Sequence, residues 1–243
     1  MKKRLITMSL LAALFLNSCS DSTSDEFDDA NGNASVKYIK TITSNSSEDG
    51  VSLVTVNYDS FGKVVNVTDG TDSSIFIYDN NNLTTVTGDG DPFQISELYQ
   101  APYETYEFGE VLDYDSNGNP TDVKLFQEDE YGNMEEFAAK ITYGTAPNAF
   151  FYTMKAAGII DVLDNVELNL NMQGTPAQIV QARVMLPLNN PTKLVIKDVD
   201  GLVVSTTLTS YVYNSFNYPT SATVVTTEDG STETVNFTFT YKD

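Results

Sequence analysis

Six short stretches of the chain share one grammar, and it constrains the fold more than any other feature. VTVNYD, SIFIYD, VLDYDS, AKITYG, SYVYNS and TFTYKD each place an apolar residue two positions before a tyrosine. The tyrosines are Tyr58, Tyr78, Tyr114, Tyr143, Tyr213 and Tyr241, preceded by Val56, Phe76, Leu112, Ile141, Tyr211 and Phe239. A spacing of two puts each pair on one face of a β-strand, and β-branched and aromatic residues suit a half-buried pleated surface. Four residues after four of these tyrosines stand Gly62, Asn82, Gly118 and Asn217. Glycine and asparagine enter the left-handed region at the lowest cost. Asp59, Asp79, Asp115 and Asn214 open the same turns, where a short polar side chain bonds the backbone ahead. This is the signature of hairpins closed by a type I turn and a left-handed residue.

The repeat bears on an apparent metal site. DYDSNGNPTDVK, residues 113–124, sets Asp113, Asp115, Asn117 and Gly118 where a calcium loop has its early ligands and turn glycine. Yet Lys124 stands where a bidentate Glu is required, and the flanks EVLDY and DVKLF read as strands. The stretch is one more hairpin turn, as is Asp198-Val199-Asp200-Gly201. No metal site and no cofactor is expected. A second repeat agrees: Asn119-Pro120-Thr121, Asn190-Pro191-Thr192 and Tyr218-Pro219-Thr220 each precede an expected strand, and proline is tolerated at a strand's first residue.

One region departs from period two. In residues 148–164, Phe150, Phe151, Met154, Ala157, Ile160 and Leu163 recur at three and four, so a helix is expected over 149–164. Thr175-Pro176 opens a second candidate helix over 176–185. Both suit core filling, or the wall of an apolar ligand pocket.

The first residues read as an address. Lys2, Lys3 and Arg4 precede an apolar run, Leu5 to Leu16, too short to span a bilayer comfortably. Leu16-Asn17-Ser18-Cys19 resembles the lipobox of bacterial lipoproteins, which implies cleavage after residue 18 and a lipid on Cys19. Two or three acyl chains make attachment to a membrane lasting. The expected organisation is a signal peptide at 1–18, a disordered acidic tether at 19–34 and one β-rich domain at 35–243. The tether composition resembles the surface-export signal of Bacteroidota lipoproteins, and Asp21-Ser22-Thr23 resembles a short O-glycosylation motif of that phylum. The expected location is therefore the outer membrane, facing the medium, with its periplasmic face as the alternative.

The tyrosine and turn pattern resembles YD-repeat sequences. NNPTKLVIKDVDG, YVYNSFNYPTSATVV and FTYKD resemble a family of Bacteroidota lipoproteins of uncharacterised function. The resemblance implies a large, twisted, mainly antiparallel sheet of successive hairpins, and no catalytic residues.

Charge and composition prune the functions. Thirteen Lys plus Arg stand against 34 Asp plus Glu, a net charge of −21, which loss of Lys2, Lys3 and Arg4 takes to −24. Nucleic acid and anionic headgroups need a basic face and are disfavoured as direct partners; no nucleic acid is expected. The chain has no His and a single Cys, which removes imidazole bases and Cys-based zinc. The expected function is a lipid-anchored binding module for a glycan or a protein, with no catalytic residues. The alternatives are a carboxylate-pair glycosidase, drawing on Glu97, Glu104, Glu107, Glu110 or the run Glu128-Asp129-Glu130, and a purely structural envelope component.

Overall fold

A computed structural model describes residues 22–32, 34–88, 92–95, 109–128, 134–165, 167–170, 178–181, 186–228 and 230–242. Helix α1 (Thr23–Asn31) is followed by β1 (Ile39–Ser46), β2 (Gly50–Tyr58), β3 (Val64–Thr68), β4 (Ser73–Asp79), β5 (Asn82–Thr87) and β6 (Phe93–Gln94). Next come β7 (Gly109–Tyr114), β8 (Pro120–Glu128), β9 (Met134–Pro147), α2 (Phe151–Ala156) and α3 (Ile159–Asn165). A small hairpin of β10 (Glu167–Leu170) and β11 (Gln178–Gln181) precedes β12 (Asn189–Lys197), β13 (Val203–Tyr213), β14 (Pro219–Glu228) and β15 (Ser231–Tyr241).

Thirteen strands form one open antiparallel sheet in the order β6-β5-β4-β3-β2-β1-β15-β14-β13-β12-β9-β8-β7. The mainly β fold of successive hairpins expected from the repeat is what the chain adopts. The N- and C-terminal meanders join where β1 pairs with β15, Ile42 opposite Phe239. The remaining adjacency that skips sequence is β12 beside β9, and the helical segment bridges that gap.

Cross-strand pairing places Ile42, Phe239, Phe237, Ala222, Tyr211, Thr207, Leu194, Ile141, Ala139 and Val123 on one face. That inner face carries the helices. Phe27, Phe151, Tyr152, Ile160, Leu188 and Tyr218 form one core cluster beneath them, and Ile39, Val56, Val64 and Ala157 form another. The outer face is hydroxyl- and amide-rich: Thr41 sits opposite Thr240, Thr55 opposite Thr68, and Asn57 opposite Asn66.

Four turns share one geometry: Asp59 to Gly62, Asp115 to Gly118, Asp198 to Gly201 and Asn214 to Asn217. In each, the first side chain accepts from the backbone N–H groups two and four residues on, at 2.8–3.1 Å. The fourth residue has positive φ: 88°, 86°, 81° and 62°. The fourth position expected at Asn82 is different. Asn80 (φ 47°) and Asn81 (φ 73°) form a two-residue hairpin loop, and Asn82 is the first residue of β5. Two asparagines side by side satisfy a tight primed turn, so the looser geometry is not needed.

Three further expectations are corrected. The segment read as a disordered tether contains α1. Ser22 caps it, Asp25 closes a capping box, and Phe27 is fully buried against the Phe151 ring, with centroids 3.6 Å apart. One aromatic in a capped nine-residue helix outweighs the acidic composition, because its burial is worth about 1.5–3 kcal/mol. The second expected helix, 176–185, is over Gln178–Gln181 a strand paired with β10. The first, 149–164, is present as α2 and α3, broken at Gly158 (φ 76°), where an added Cβ would lie 3.0 Å from the Leu83 Cβ. Finally, Leu112 and Tyr114 do not share the inner face. Two register shifts in β7 leave Leu112 56% and Tyr114 39% exposed.

Candidate functional site

Four of the six repeat tyrosines, with Tyr211 in place of Tyr213, make structural hydrogen bonds. At the sheet end where β1, β3, β8, β12 and β14 begin, five hydroxyls reach across to the next strand. Tyr58 donates to the Ile39 carbonyl (2.6 Å), Tyr78 to Val64 (2.7 Å), Tyr143 to Pro120 (2.8 Å), Tyr211 to Pro191 (2.9 Å) and Tyr241 to Pro219 (2.8 Å). At each of these strand starts the tyrosine supplies a donor to a backbone carbonyl. This explains the Xaa-Pro-Thr repeat: each of its three prolines presents such a carbonyl. In β13 the role belongs to Tyr211, not Tyr213. Burial pushes all five phenols above their ordinary value, Tyr78 and Tyr211 to about 12.

Beside this row lies a buried asparagine network that sequence reasoning missed. The Asn119 side-chain oxygen accepts from the Leu188 and Asn189 N–H groups at 2.7 and 2.9 Å. Its amide donates to Asn189 Oδ1 (2.8 Å) and Asp115 Oδ2 (3.0 Å). Asn189 donates to Asn31 Oδ1 (2.8 Å), and Asn31 to the Phe27 carbonyl (3.1 Å). The network ties α1 to the β7–β8 turn and to the start of β12. Its polar atoms are engaged by one another and by the backbone, so it holds structure together. Asp115 in particular accepts from two backbone N–H groups of its own turn, at Asn117 and Asn119. The stretch that imitates a calcium loop is thereby occupied as a turn.

The inner face has, among the described residues, a concave region away from the helices. Val111, Val123, Leu125, Ala139, Ile141, Tyr143 and Leu194 line a groove of about 380 Å³ across β7, β8, β9 and β12, closed at its sides by Pro120, Pro187 and Pro191. Its polar side chains are Thr207 and Thr209 of β13, Tyr143 and Lys193. Its volume lies within the range of small-molecule sites, and its lining matches their apolar character. The groove follows from register. Ile141 faces Leu194 and Val123 faces Ala139, so aliphatic residues of four strands converge. The small Ala139 keeps the floor low. The helical segment expected as a possible pocket wall stands elsewhere. Gly158, Asp161, Val162 and Asn165 line a separate, more polar cleft with Asn82, Leu83 and Gln94.

Of the other sites read from sequence, Cys19 lies outside the described residues, as do Glu97, Glu104, Glu107, Asp129 and Glu130. Glu110 and Glu128 fall in β7 and β8.

No protein-family model matches this chain, and no curated protein does. Among solved structures, a porin-like protein from Bacteroides vulgatus is similar at a TM-score of 0.43 and 11% identity, over 85% of this chain and 99% of that one. A porin-like protein from Bacteroides uniformis gives 0.42 and 12%, over 84% and 98%. A LolA superfamily protein from Nitrosomonas europaea gives 0.26 and 10%, over 90% of each chain. Overlaps of this extent establish no kinship, and the groove has to speak for itself.

Proposed function

We propose that the protein is a lipid-anchored module of the cell envelope that binds an apolar ligand of alkyl-chain type on the inner face of its sheet. The groove over Val111, Val123, Leu125, Ala139, Ile141 and Leu194 carries this reading. Leaving that much aliphatic surface open to water is unfavourable by about 25 cal/mol per Å², and an apolar ligand removes the penalty. The sequence at Leu16 to Cys19 supports the anchor, and the segment behind it supports an outer-membrane location. The activity proposed is binding, not catalysis.

The test is a titration of the full chain with the environment-sensitive dye N-phenyl-1-naphthylamine. Saturable enhancement, displaced by dodecanol and abolished in Ala139→Phe, supports the reading. An Ala139→Phe variant that folds and binds the dye as the parent does would sink it.

A further inference from the structure

From the docking of α1 we infer a membrane-contacting edge: the tyrosine end of the sheet rests on the neutral surface of the bilayer that holds the anchor, with Phe61 and Phe216 as its contact residues. This rests on the reading of Cys19 as lipidated. Had residues 19–34 been a free tether, the domain would have stood some tens of ångströms from the lipid. Instead, helix α1 begins at Thr23, with Ser22 as its cap. Three residue steps separate Cys19 from Ser22 and span at most about 11 Å.

Contacts place that exit point at the tyrosine end. The Thr23 backbone N–H donates to Asp164 Oδ1 at 3.0 Å. The neighbouring Asn165 lines a cleft with Asn82 and Leu83, at the start of β5. Next to Asn82 the Asn81 carbonyl accepts from Lys63 Nζ, which adjoins the turn that carries Phe61.

The turns themselves differ in a way that fits. The third residue is Phe61 in the β2–β3 turn and Phe216 in the β13–β14 turn, both at the tyrosine end, exposed by 91% and 50%. The same position in the β12–β13 turn, at the far end, is Asp200. Of the three near-end turns of this geometry, two present a phenyl ring and the third, between β7 and β8, presents Asn117; the far-end turn presents a carboxylate beside the exposed Val199 and Leu202. The far-end hairpins also carry Glu48, Asp49, Asp69 and Glu228, and the near-end turns carry Asp59, Asp79 and Asp115, of which the Asp59 and Asp115 carboxylates are engaged by their own turns. At the near end Lys37 lies 4.4 Å over the Phe216 ring. Aromatic rings flanked by lysine suit the water–lipid interface. Asp25, Asp28 and Asp29 on α1 keep the edge from being basic, so the matching surface is a zwitterionic lipid and not an anionic one.

The chain contains no Trp, so Phe61→Trp, Phe216→Trp and Asp200→Trp each give a single reporter. The lipidated full chain is reconstituted in phosphatidylcholine vesicles whose acyl chains are brominated. The expected result is at least twofold quenching for the Trp at 61 and at 216, and none for the Trp at 200. Vesicle-bound chain with all three equally quenched, or none quenched, would overturn the inference and leave the anchor standing. Chain that fails to float with vesicles and carries no labelled fatty acid would overturn both.

Discussion

Tyr58, Tyr78, Tyr143, Tyr211 and Tyr241 each pack a ring against the sheet and direct a hydroxyl to a strand start, so ring and hydroxyl make separable contributions. Tyr143→Phe leaves the buried Pro120 carbonyl without its donor and is expected to cost about 1–3 kcal/mol in urea unfolding. Tyr218 provides the contrast. It is fully buried in the core, and its hydroxyl has no hydrogen-bond partner among the described residues. Tyr218→Phe is therefore expected to leave stability unchanged or raise it by up to about 1 kcal/mol. The same burial sets a pH dependence. Tyr78 and Tyr211 are raised from about 10 to about 12, so the fold binds their protons more tightly than the unfolded chain does. Their contribution is complete below pH 10 and is lost as pH rises toward 12. The urea midpoint should hold steady to about pH 9.5 and then fall, less steeply in Tyr78→Phe. The turn residues Gly62, Gly118 and Asn217 were legible in the sequence because a left-handed position narrows the choice to glycine or asparagine. The choice of Tyr211 over Tyr213 was not legible. Both follow the alternation, and the register shift between Val212 and Tyr213 is set by pairing with β14.

At the scale of elements, α1 is the one whose loss is most informative. Phe27 meets Phe151 and Tyr152, and Asn31 meets the asparagine network through Asn189. Phe27→Ala should cost about 3–5 kcal/mol, the usual range for a buried phenylalanine. Hydrogen exchange should then show α1 amides losing protection while the centre of the sheet keeps it. The hairpin turns give a second check. Nothing lies within 4 Å of a Cβ built on Gly62, so Gly62→Val isolates the conformational cost, about 1–2 kcal/mol. The strands were readable because period two, turn residues and proline placement agreed with one another. Helix α1 was hidden by its composition, although Ser22-Thr23-Ser24-Asp25 is a capping box and Phe27 and Ala30 share one helical face. The strand at Gln178–Gln181 was hidden for the opposite reason: Thr175-Pro176 resembles a helix start, and only pairing with β10 decides otherwise.

Across the whole molecule, the proposed binding function rests on unequal cover of one face. Helices and tyrosines fill the inner face where the N-terminal meander meets the core. Over β7, β8, β9 and β12 the same face is aliphatic and, among the described residues, forms a groove. No stretch of sequence displays this groove, because its lining comes from several strands, with β12 and β13 separated in sequence from β7, β8 and β9 by the helical segment. The most direct measurement is by NMR, with methyl-labelled Ala, Ile, Leu and Val in the full chain and dodecanol as ligand. Saturable shifts and intermolecular contacts at Val123, Ala139, Ile141 and Leu194, with the methyls of Val56, Val64 and Ile160 unmoved, are the predicted result. Contacts confined to the helical core or the outer face, or shifts that never saturate, would contradict the account.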